Sequence, residues 1–413
     1  MNGMTYRQFG LVSREGRQFG CYYDADGKVV VFARDIGSSA CAMITADAPA
    51  LPHDAHYSLT LGIDNDGCIH VAGGAHVGRP LYLRVEEIEN TLKLYTDGAD
   101  PFASDDRLSY PSFVMDGRGG LFFMARHGVP ARSSWRVTQY DDIGGAWNQQ
   151  SFLLVSGICQ NAWPAGPYLS TAVSPRDGRI GFFIVWRSES LAGARTRVCN
   201  IGVDYLEADL ADRTYTTYDG VKLFAPVTPA ISERVVAVPW RRELCNQSGA
   251  TRLPDGRPFG VASWASTIGS RQVHAFWPAR TGTWRTRQVS QFENSVELNG
   301  KGTLYLAYSR PVCAALPDGR VIVIYRSGDL GGRLLADVLE PPHYIVRPEQ
   351  QWIIWDDDLG YYEPVIDVML AENTGIISLY IQKCGHSDDS TVPADNSTSM
   401  SYTAEWDFSR IVR

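Results

Sequence analysis

A tight turn followed by a short apolar run recurs along this chain, and the repeat limits the possible folds more than any other feature. Two clear copies are D-N-D-G-C-I-H-V around Gly67 and L-P-D-G-R-V-I-V-I-Y around Gly319. Similar copies lie around Gly27, Gly120, Gly178, Gly256 and, in a degenerate form, Gly375. Asp-Gly pairs favour the positive φ of hairpin turns, and β-branched and aromatic residues favour strands. The pattern therefore predicts a β-hairpin roughly every 40 to 80 residues.

Seven copies in 413 residues leave about 59 residues for each repeat, which accommodates four strands and their loops. We therefore predict an all-β fold, a seven-bladed β-propeller, in which residues 1–413 form a single catalytic domain. Helical periodicity is weak, and its best candidate, residues 85–94, fits a strand and a loop equally well. The alternating tail, about residues 401–413, is predicted to close the ring by adding a strand to a blade from the other terminus.

Composition and charge narrow the class of protein. Hydrophobic residues make up 44% of the chain and charged residues 20%, as in ordinary soluble globular proteins. The net charge of −8 argues against general nucleic-acid binding, which needs a basic field. No run approaches the roughly 18 apolar residues of a membrane span, so no membrane partner is expected. We expect a monomer that is secreted or periplasmic, with a leader not visible at this N-terminus; a cytoplasmic location is the alternative.

The eight cysteines are scattered, and no two form the C-x-x-C pair typical of metal and redox sites. Apolar flanks such as C-Y-Y and C-I-H-V predict small buried thiols, and they leave a disulfide or two open. No cofactor is predicted and no residue is assigned as a metal ligand. A structural Ca or Zn ion is the alternative left open.

The richest set of chemically active side chains lies between residues 54 and 126. His56, His70 and His76 fall inside this stretch, together with Tyr110 and, at its end, Arg126. A base, a phenol and a guanidinium on neighbouring strands form a set suited to proton transfer. His70 lies within a predicted strand and is interpreted as a packed or hydrogen-bonded blade residue.

Several spaced motifs follow one another along nearly the whole chain. They are D-x-H…D-x-D-G-x-I-H…H at residues 54–76, Y-P-S-F…G-L-F-F-M-A-R at 110–126, G-G-A-W at 144–147, W-R at 186–187, N-I-G-V-D-Y-L at 200–206, L-C-N-Q at 244–247, S-R-P at 309–311 and L-G-Y-Y-E-P-V-I-D at 359–367. This ordered series resembles the BNR-repeat polysaccharide lyases, sugar-active propellers that include ulvan lyases. The chain departs from that family by lacking a His/Cys quartet for the zinc site of some members. Its Asp-box is eroded to A-D-L-A-D-R-T-Y, which weakens a sialidase interpretation.

The resemblance implies a site built from His56, His76, Tyr110, Arg126 and Tyr168. In the family pattern a His pair precedes a Tyr and an Arg sixteen residues apart, and a second Tyr follows. β-Elimination from a uronic acid would use Arg126 to neutralise the carboxylate and His56 as the base. Tyr110 would transfer a proton once a neighbouring cation stabilises its phenolate. His76 and Tyr168 would bind or orient the uronate.

Two further substrate-binding candidates lie in later motifs. Arg187 ends the W-R motif, and Asn246 lies in L-C-N-Q, where capping a turn is the alternative role. Trp163, Trp264 and Trp277 suit sugar stacking, with buried packing inside a blade as the alternative.

Turn symmetry also supports a shared site: the resemblance suggests which pairs to compare, and their spacing around the turns is an independent observation. Residues equidistant from a hairpin turn lie side by side on its two strands. His56 and His76 are equidistant from the N-D-G turn, and Tyr110 and Arg126 are equidistant from the D-G-R-G-G turn. We therefore predict that each pair consists of cross-strand neighbours and that both pairs lie at the same end of adjacent hairpins.

We expect a polysaccharide lyase that cleaves a uronate-containing, ulvan-like polysaccharide by β-elimination, so that its partner is an anionic polysaccharide carrying glucuronate or iduronate. One alternative is a glycoside hydrolase acting on rhamnose–glucuronate linkages on the same fold. A hydrolase normally needs a carboxylate pair, and no acid pair stands out near Tyr110. Another alternative is a non-catalytic glycan-binding propeller, because fold does not determine function.

Overall fold

A computed structural model of the chain describes residues 8–46, 56–88, 90–95, 101, 107–158, 164–173, 177–188, 199–265, 270–293, 306–385 and 399–410. Within these ranges the strands form seven separate sheets, arranged as a seven-bladed β-propeller. The predicted all-β class and blade number are confirmed. In the part of the chain that the structure describes, no helix has the length and apolar character needed to cross a bilayer.

The first four blades take up the chain as far as residue 236. Blade 1 contains β1 (Leu11–Arg14), β2 (Arg17–Tyr23), β3 (Val29–Asp35) and β4 (Cys41–Thr45). Blade 2 contains β5 (Leu59–Ile63), β6 (Ile69–Gly73), β8 (Leu81–Ile88) and β9 (Thr91–Tyr95), and the short β7 (His76–Gly78) crosses to blade 3. Blade 3 contains β10 (Leu108–Met115), β11 (Leu121–Val129), β12 (Arg132–Asp141), β13 (Ala146–Trp147) and β14 (Phe152–Ser156). Blade 4 contains β15 (Gly166–Val173), β16 (Arg179–Arg187), β17 (Asn200–Asp209), β18 (Thr214–Thr216), β19 (Lys222–Leu223) and β20 (Glu233–Val236).

The last three blades are more regular. Blade 5 contains β21 (Ala250–Arg252), β22 (Pro258–Trp264), β23 (Gln272–Pro278) and β24 (Trp284–Gln288). Blade 6 contains β25 (Val312–Ala315), β26 (Val321–Ser327), β27 (Arg333–Glu340) and β28 (Ile345–Trp355). Blade 7 contains β29 (Val365–Ile366), the helix α1 (Val368–Thr374), β30 (Ile376–Gln382) and β31 (Ser401–Asp407), and a 3-10 turn (Phe408–Arg410) follows.

Six of the seven predicted turns lie between the first and second strands of blades 2 to 7, at the face of the ring where first strands end. The copy around Gly27 is out of phase, because it joins β2 to β3 at the opposite face. The corresponding turn of blade 1 is at Gly16, which has a φ of 82°. Counting repeats therefore predicted the number of blades correctly, although the copy at Gly27 occupies a different position in its blade from the other six.

The described residues contain one short α-helix, which the weak helical periodicity of the sequence did not indicate. Residues 85–88 lie in β8 and residues 91–94 in β9, but the degenerate repeat at Gly375 contains α1. Asp367 caps the helix N-terminus by accepting from Leu370 N at 3.0 Å, and Gly375 ends it with a φ of 79°. An N-cap acid and a C-terminal Gly around seven residues are helix boundary signals that the repeat pattern concealed.

The blades pack face to face, so most strands are buried on both sides. β26, with the sequence V-I-V-I-Y-R-S, is buried at every position. One continuous apolar cluster runs through blades 1 to 4, and others join blades 4 to 5, 5 to 6 and 6 to 7. The contact between blades 7 and 1 has a smaller cluster, formed by Leu11, Phe32, Val365 and Tyr380.

The ring closes between blades 7 and 1 without a shared sheet among the described strands. The C-terminal tail forms β31, which pairs with β30 inside blade 7, and blade 1 draws all its strands from residues 11–45. Side chains join the two blades instead. Arg34 binds Gln18 Oε1 through Nε at 3.0 Å and pairs with Glu405 of β31. Gln18 Nε2 donates to Asp367 Oδ2 at 2.9 Å. We call this boundary the seam.

Candidate active site

The predicted site residues lie at the face of the ring where the first strand of each blade begins and the second strand ends. We call this face the mouth. His56 precedes β5, while Tyr110 and Tyr168 lie near the starts of β10 and β15. Arg126 and Arg187 lie near the ends of β11 and β16. Five predicted residues therefore meet on three consecutive blades, 2 to 4.

The imidazole rings of His56 and His76 stack with their centroids 3.9 Å apart and their planes at 15°. His76 reaches this position through β7, which pairs with β10 of blade 3 so that His76 lies opposite Ser109. Val77 N donates to Ser109 Oγ at 2.8 Å and ties the two strands together. The histidine pair thereby bridges two blades, and the His56 centroid lies 6.2 Å from that of Tyr110.

The prediction that Tyr110 lies directly opposite Arg126 is wrong by one residue. Ser109 pairs with Arg126 and Ser112 with Met124, so the register shifts between these pairs. Tyr110 lies at the shift with a φ of 55°, a left-handed conformation uncommon outside Gly. Such bulges redirect side chains next to functional sites. The Tyr110 ring still contacts Arg126, whose Cζ lies 4.6 Å from the ring centroid.

Arg126 is the most unusual residue of the site. Its side chain is 0% exposed, and none of its three guanidinium nitrogens has a hydrogen-bond partner among the described residues. Its Cζ lies over two aromatic rings, 4.6 Å from the centroid of Tyr110 and 5.1 Å from that of Tyr168. These cation–π contacts offset only part of the cost of burying a charge without a counter-ion. The site therefore favours an anionic ligand.

Tyr168 connects Arg126 to a second guanidinium. Arg187 Nη1 donates to Tyr168 Oη at 3.0 Å, and Arg187 Cζ lies 5.4 Å from the ring centroid. Burial raises the pKa of Tyr168, but the charges of Arg187 and Arg126 outweigh burial and lower this pKa to about 8. The Tyr168 and Tyr110 centroids are 5.9 Å apart, so both phenols belong to the same cluster.

Asn246 lies in a different polar group on the mouth side of blades 5 to 7. Its Oδ1 accepts from Arg310 Nε at 3.3 Å and from Nη2 at 3.1 Å. Arg310 Nη1 in turn pairs with Glu363 at 3.1 Å. The described contacts of Asn246 thus connect it to Arg310 rather than to the predicted catalytic residues.

Sequence reasoning missed the polar residues that line a cavity of about 30 Å³ beside Tyr110. Gln8, Ser58, Thr171 and Gln247 all contribute to it. Gln8 exchanges two hydrogen bonds with the Thr171 backbone, at 3.3 and 3.0 Å. Gln247 ends the L-C-N-Q motif, so a signal for it existed. Gln8 carries no comparable signal, because only the ring places it against blade 4.

The tryptophans suggested for sugar stacking are buried where the structure describes them. Trp264 is 6% exposed and stacks on His274 with centroids 3.8 Å apart. Trp277 is 4% exposed and belongs to an apolar cluster. Blade packing is therefore their role. Trp163 and residues 53–55 lie outside the described residues.

One group of potential metal ligands occurs in the described part of the chain. Ligand atoms of Asp64, Cys68 and His70 lie within 4.8 Å of one another, near the end of blade 2 away from the mouth. His70 Nε2 is already 3.0 Å from Asp64 Oδ2, and Nδ1 is 2.7 Å from the hydroxyl of Tyr82. These hydrogen bonds satisfy the buried imidazole without a metal, and they agree with its prediction as a blade residue.

Comparison with known proteins places this geometry in context. Among solved structures, the crystal structure of polysaccharide lyase Uly1 superposes with a TM-score of 0.69 at 12% identity, covering 98% of this chain and 91% of that one. A polysaccharide lyase of the PL25 family, an ulvan lyase bound to -[GlcA(1-4)Rha3S]-, gives a TM-score of 0.59 at 11% identity, covering 87% of this chain and 94% of that one. At these identities the likeness establishes the fold alone.

Comparison of the sequence itself gives one family match. No curated protein matches the chain significantly. The model of the BNR repeat-containing family matches residues 17–292, about two thirds of the chain. That segment includes all six candidate residues on blades 2 to 4, which are His56, His76, Tyr110, Arg126, Tyr168 and Arg187. Since the match extends over most of the sequence, the chain belongs to the BNR repeat-containing family.

Proposed function

We propose that this protein is a polysaccharide lyase that cleaves a uronate-containing polysaccharide by β-elimination. The observation that carries the proposal is the buried guanidinium of Arg126, which lies between two tyrosine rings without a counter-ion among the described residues. β-Elimination first requires neutralisation of the uronate carboxylate, because its negative charge opposes removal of the neighbouring C5 proton. A planar, permanently charged guanidinium suits this task, since it binds a carboxylate through two parallel hydrogen bonds. Arg126 is 0% exposed without substrate, so the proposal requires the tyrosine side chains that cover it to move aside as the uronate binds.

The remaining residues can move the two protons of the reaction. His56 takes the proton from C5, a double bond forms between C4 and C5, and the bond from C4 to O4 breaks. Tyr110 donates its hydroxyl proton to the departing O4 and is reprotonated by water. The ring of His76, stacked on that of His56, orients the base. Tyr168 and Arg187 hold the opposite side of the site and contribute a second positive charge.

The choice of substrate class rests on the chemistry of the site and is supported by the likeness in fold. Two of the structural neighbours are named as polysaccharide lyases, and one is bound to a glucuronate–sulfated rhamnose unit. We therefore propose an ulvan-like polymer containing glucuronate or iduronate as the substrate. An enzyme that acts on such a polymer would work outside the cytoplasm, which fits a secreted or periplasmic location.

A hydrolase is less well supported by the described geometry. Inverting and retaining hydrolases use a pair of carboxyl groups around the scissile bond. In the described part of the chain, no Asp or Glu forms a hydrogen bond or ion pair with Tyr110 or Arg126. A non-catalytic binding role would not require a base next to a phenol.

The proposal is tested by incubating the protein with ulvan and other uronate polysaccharides while following ultraviolet absorbance. Conjugated unsaturation in the product indicates a lyase. Reducing sugar without it would indicate a hydrolase, and binding without either would indicate a glycan-binding protein. Tyr110→Phe is expected to lower the rate about 100-fold or more, the usual contribution of a general acid. Tyr402→Phe, an exposed tyrosine on β31, is the control and should keep full activity.

A further inference from the structure

A second feature of the mouth lies between blades 4 and 5. After β20 the chain crosses the mouth to reach β21, over residues 237–249, which we call the crossing loop. Two backbone hydrogen bonds attach it to the end of β22: Ala265 N donates to Arg242 O at 2.7 Å, and Cys245 N donates to Ser263 O at 2.9 Å. The loop is therefore a fixed part of the mouth surface.

The crossing loop is also anchored beside the candidate active site. Arg187 lies directly opposite Asn200 on the neighbouring strand. Asn200 Nδ2 donates to Leu244 O of the loop at 2.7 Å, and both partners are buried. Because adjacent strands are about 4.8 Å apart, the anchor lies one strand outward from Arg187. Trp240, four residues before Leu244, lies within about 14 Å of that anchor.

The tip of the loop presents an aromatic surface with a cation on it. Trp240 is 39% exposed, whereas Trp264 at the same mouth is 6% exposed. Arg241 Cζ lies 4.2 Å from the centroid of a Trp240 ring, close enough for a cation–π contact. Arg241 and Glu243 both have positive φ, 63° and 53°, and neither is Gly. The loop thus holds an indole and a guanidinium in a defined, partly strained arrangement at the surface.

We propose that Trp240 and Arg241 form a distal subsite for the polysaccharide chain. The indole stacks on a sugar ring a few units away from the scissile bond, and Arg241 pairs with the carboxylate or sulfate of that unit. Stacking on an aromatic face and charge pairing with a guanidinium are two interactions that suit a polyanionic glycan. The polymer would thus extend from Arg126 past Arg187 and onto the crossing loop. This inference rests on the proposed lyase function.

The test compares substrate lengths. Wild type, Trp240→Ala and Arg241→Ala are assayed on the polymer and on the shortest oligosaccharide that the wild type cleaves. We expect Trp240→Ala to raise KM for the polymer about tenfold, the effect of losing roughly 1.4 kcal/mol of binding, and to leave kcat and the short substrate unchanged. Arg241→Ala should raise the same KM, with a difference that shrinks at high salt because the contact is electrostatic.

Trp352→Ala is the matched control, since Trp352 is 42% exposed but lies on β28, the outer strand of blade 6. Equal KM values for Trp240→Ala and Trp352→Ala on the polymer would overturn the subsite while leaving lyase activity intact. An equal loss on short and long substrates would overturn it too, because it would show an effect through Asn200 on Arg187. A wild-type protein that neither cleaves nor binds uronate polymers would overturn the proposed function, and the subsite with it.

Discussion

At the scale of single residues, the candidate site contains a buried charge that suits the proposed binding of an anion and lowers the stability of the fold. Arg126 is buried without a hydrogen-bonding or ionic partner among the described residues, whereas Arg252, also buried, pairs with Glu207. A buried ion pair is roughly neutral for stability, but a buried charge without a partner destabilises the folded state. The contrast between these two arginines is the one expected if Arg126 serves the proposed binding of an anion and Arg252 serves the fold.

Replacing Arg126 should therefore have opposite effects on activity and stability. Arg126→Met is expected to abolish lyase activity and to raise the free energy of unfolding by about 1 to 3 kcal/mol, because a flexible apolar side chain replaces an unpaired charge. Arg252→Met should lower it by about 3 kcal/mol, because Glu207 loses its partner. Denaturant unfolding monitored by intrinsic fluorescence measures both changes. A loss of stability in Arg126→Met would contradict our view of the site.

The pH dependence of binding should follow Tyr168, whose pKa is lowered to about 8. Below pH 8 the phenol is neutral, and both guanidiniums are available for a carboxylate. Above pH 8 the phenolate offsets their charge, so KM for an anionic substrate should rise with pH. In Tyr168→Phe, KM should stay flat to about pH 9. A wild-type rate that rises through pH 8 and loses this rise in Tyr168→Phe would instead make the phenolate a base.

At this scale the sequence predicted which side chains lie near one another in the candidate site, but not their detailed geometry. Turn symmetry brought His56 near His76 and Tyr110 near Arg126 because residue spacing fixes cross-strand neighbours. It missed the one-residue shift at Tyr110, since equal spacing from a turn assumes a regular ladder and a bulge interrupts it. The isolation of Arg126 was equally invisible, because the lack of a partner is a property of three-dimensional packing.

At the scale of elements, two short segments position the proposed catalytic groups. β7 leaves blade 2 and pairs with β10, and the bulge in β10 turns Tyr110 toward the guanidinium. Val77 in β7 has a φ of 54°, strained for a β-branched residue, and its N–H donates to Ser109 Oγ. Strain of this kind persists only where surrounding contacts hold it.

Ser109→Ala should therefore affect catalysis more than stability. Losing the acceptor for Val77 N is expected to lower kcat about tenfold, because a displacement of His76 by a fraction of an ångström misaligns the base. Unfolding free energy should fall by only about 1 kcal/mol. Ser134→Ala, which removes the buried hydroxyl contact of 2.8 Å with Ser156 in the same blade, is the control and should leave kcat unchanged. Equal kcat values for the two variants would show that β7 does not position the histidines.

The sequence predicted most elements, because Asp-Gly turns and apolar strands recur with little ambiguity. Prediction from sequence failed where a second signal overlaps the repeat or lies outside it. Gly375, which ends α1, lies in the degenerate copy of the turn repeat, and its N-cap Asp367 ends a separate motif. The crossing loop was also missed, since Trp240 and Arg241 belong to no repeat and only the arrangement of blades 4 and 5 brings them to the mouth.

At the scale of the whole molecule, the ring depends on a seam joined by side chains. Arg34 is 6% exposed and holds Gln18, Ser378 and Glu405 at once. No described strand pairs across this boundary. The prediction of a strand contributed by the other terminus followed a common way of closing a ring. The tail does form a strand, but that strand completes its own blade.

Arg34→Met should weaken the ring without changing the site. We expect the free energy of unfolding to fall by about 3 kcal/mol, because Gln18 and Glu405 lose a shared buried partner. Arg333→Met, which breaks the more exposed 3.0 Å pair with Asp356 in blade 6, should cost less than about 1 kcal/mol. Calorimetry measures both, and proteolysis should cut the Arg34 variant faster near the seam. Equal losses in the two variants would show that the seam is not a weak boundary.

The seam can form only late in synthesis, because its two sides lie near opposite ends of the sequence. Arg34 and Glu405 are separated by 371 residues, so a ribosome adding about 5 to 20 residues each second needs roughly 20 to 75 s to supply the second partner after the first. During that interval the chain exists as an open arc of finished blades. Until blade 7 is made, the face of blade 1 that will contact it exposes Gln18 and Arg34 beside only a small apolar cluster. This face can therefore remain hydrated instead of binding another apolar surface. A shared strand at this boundary would instead leave a bare sheet edge exposed for the same time.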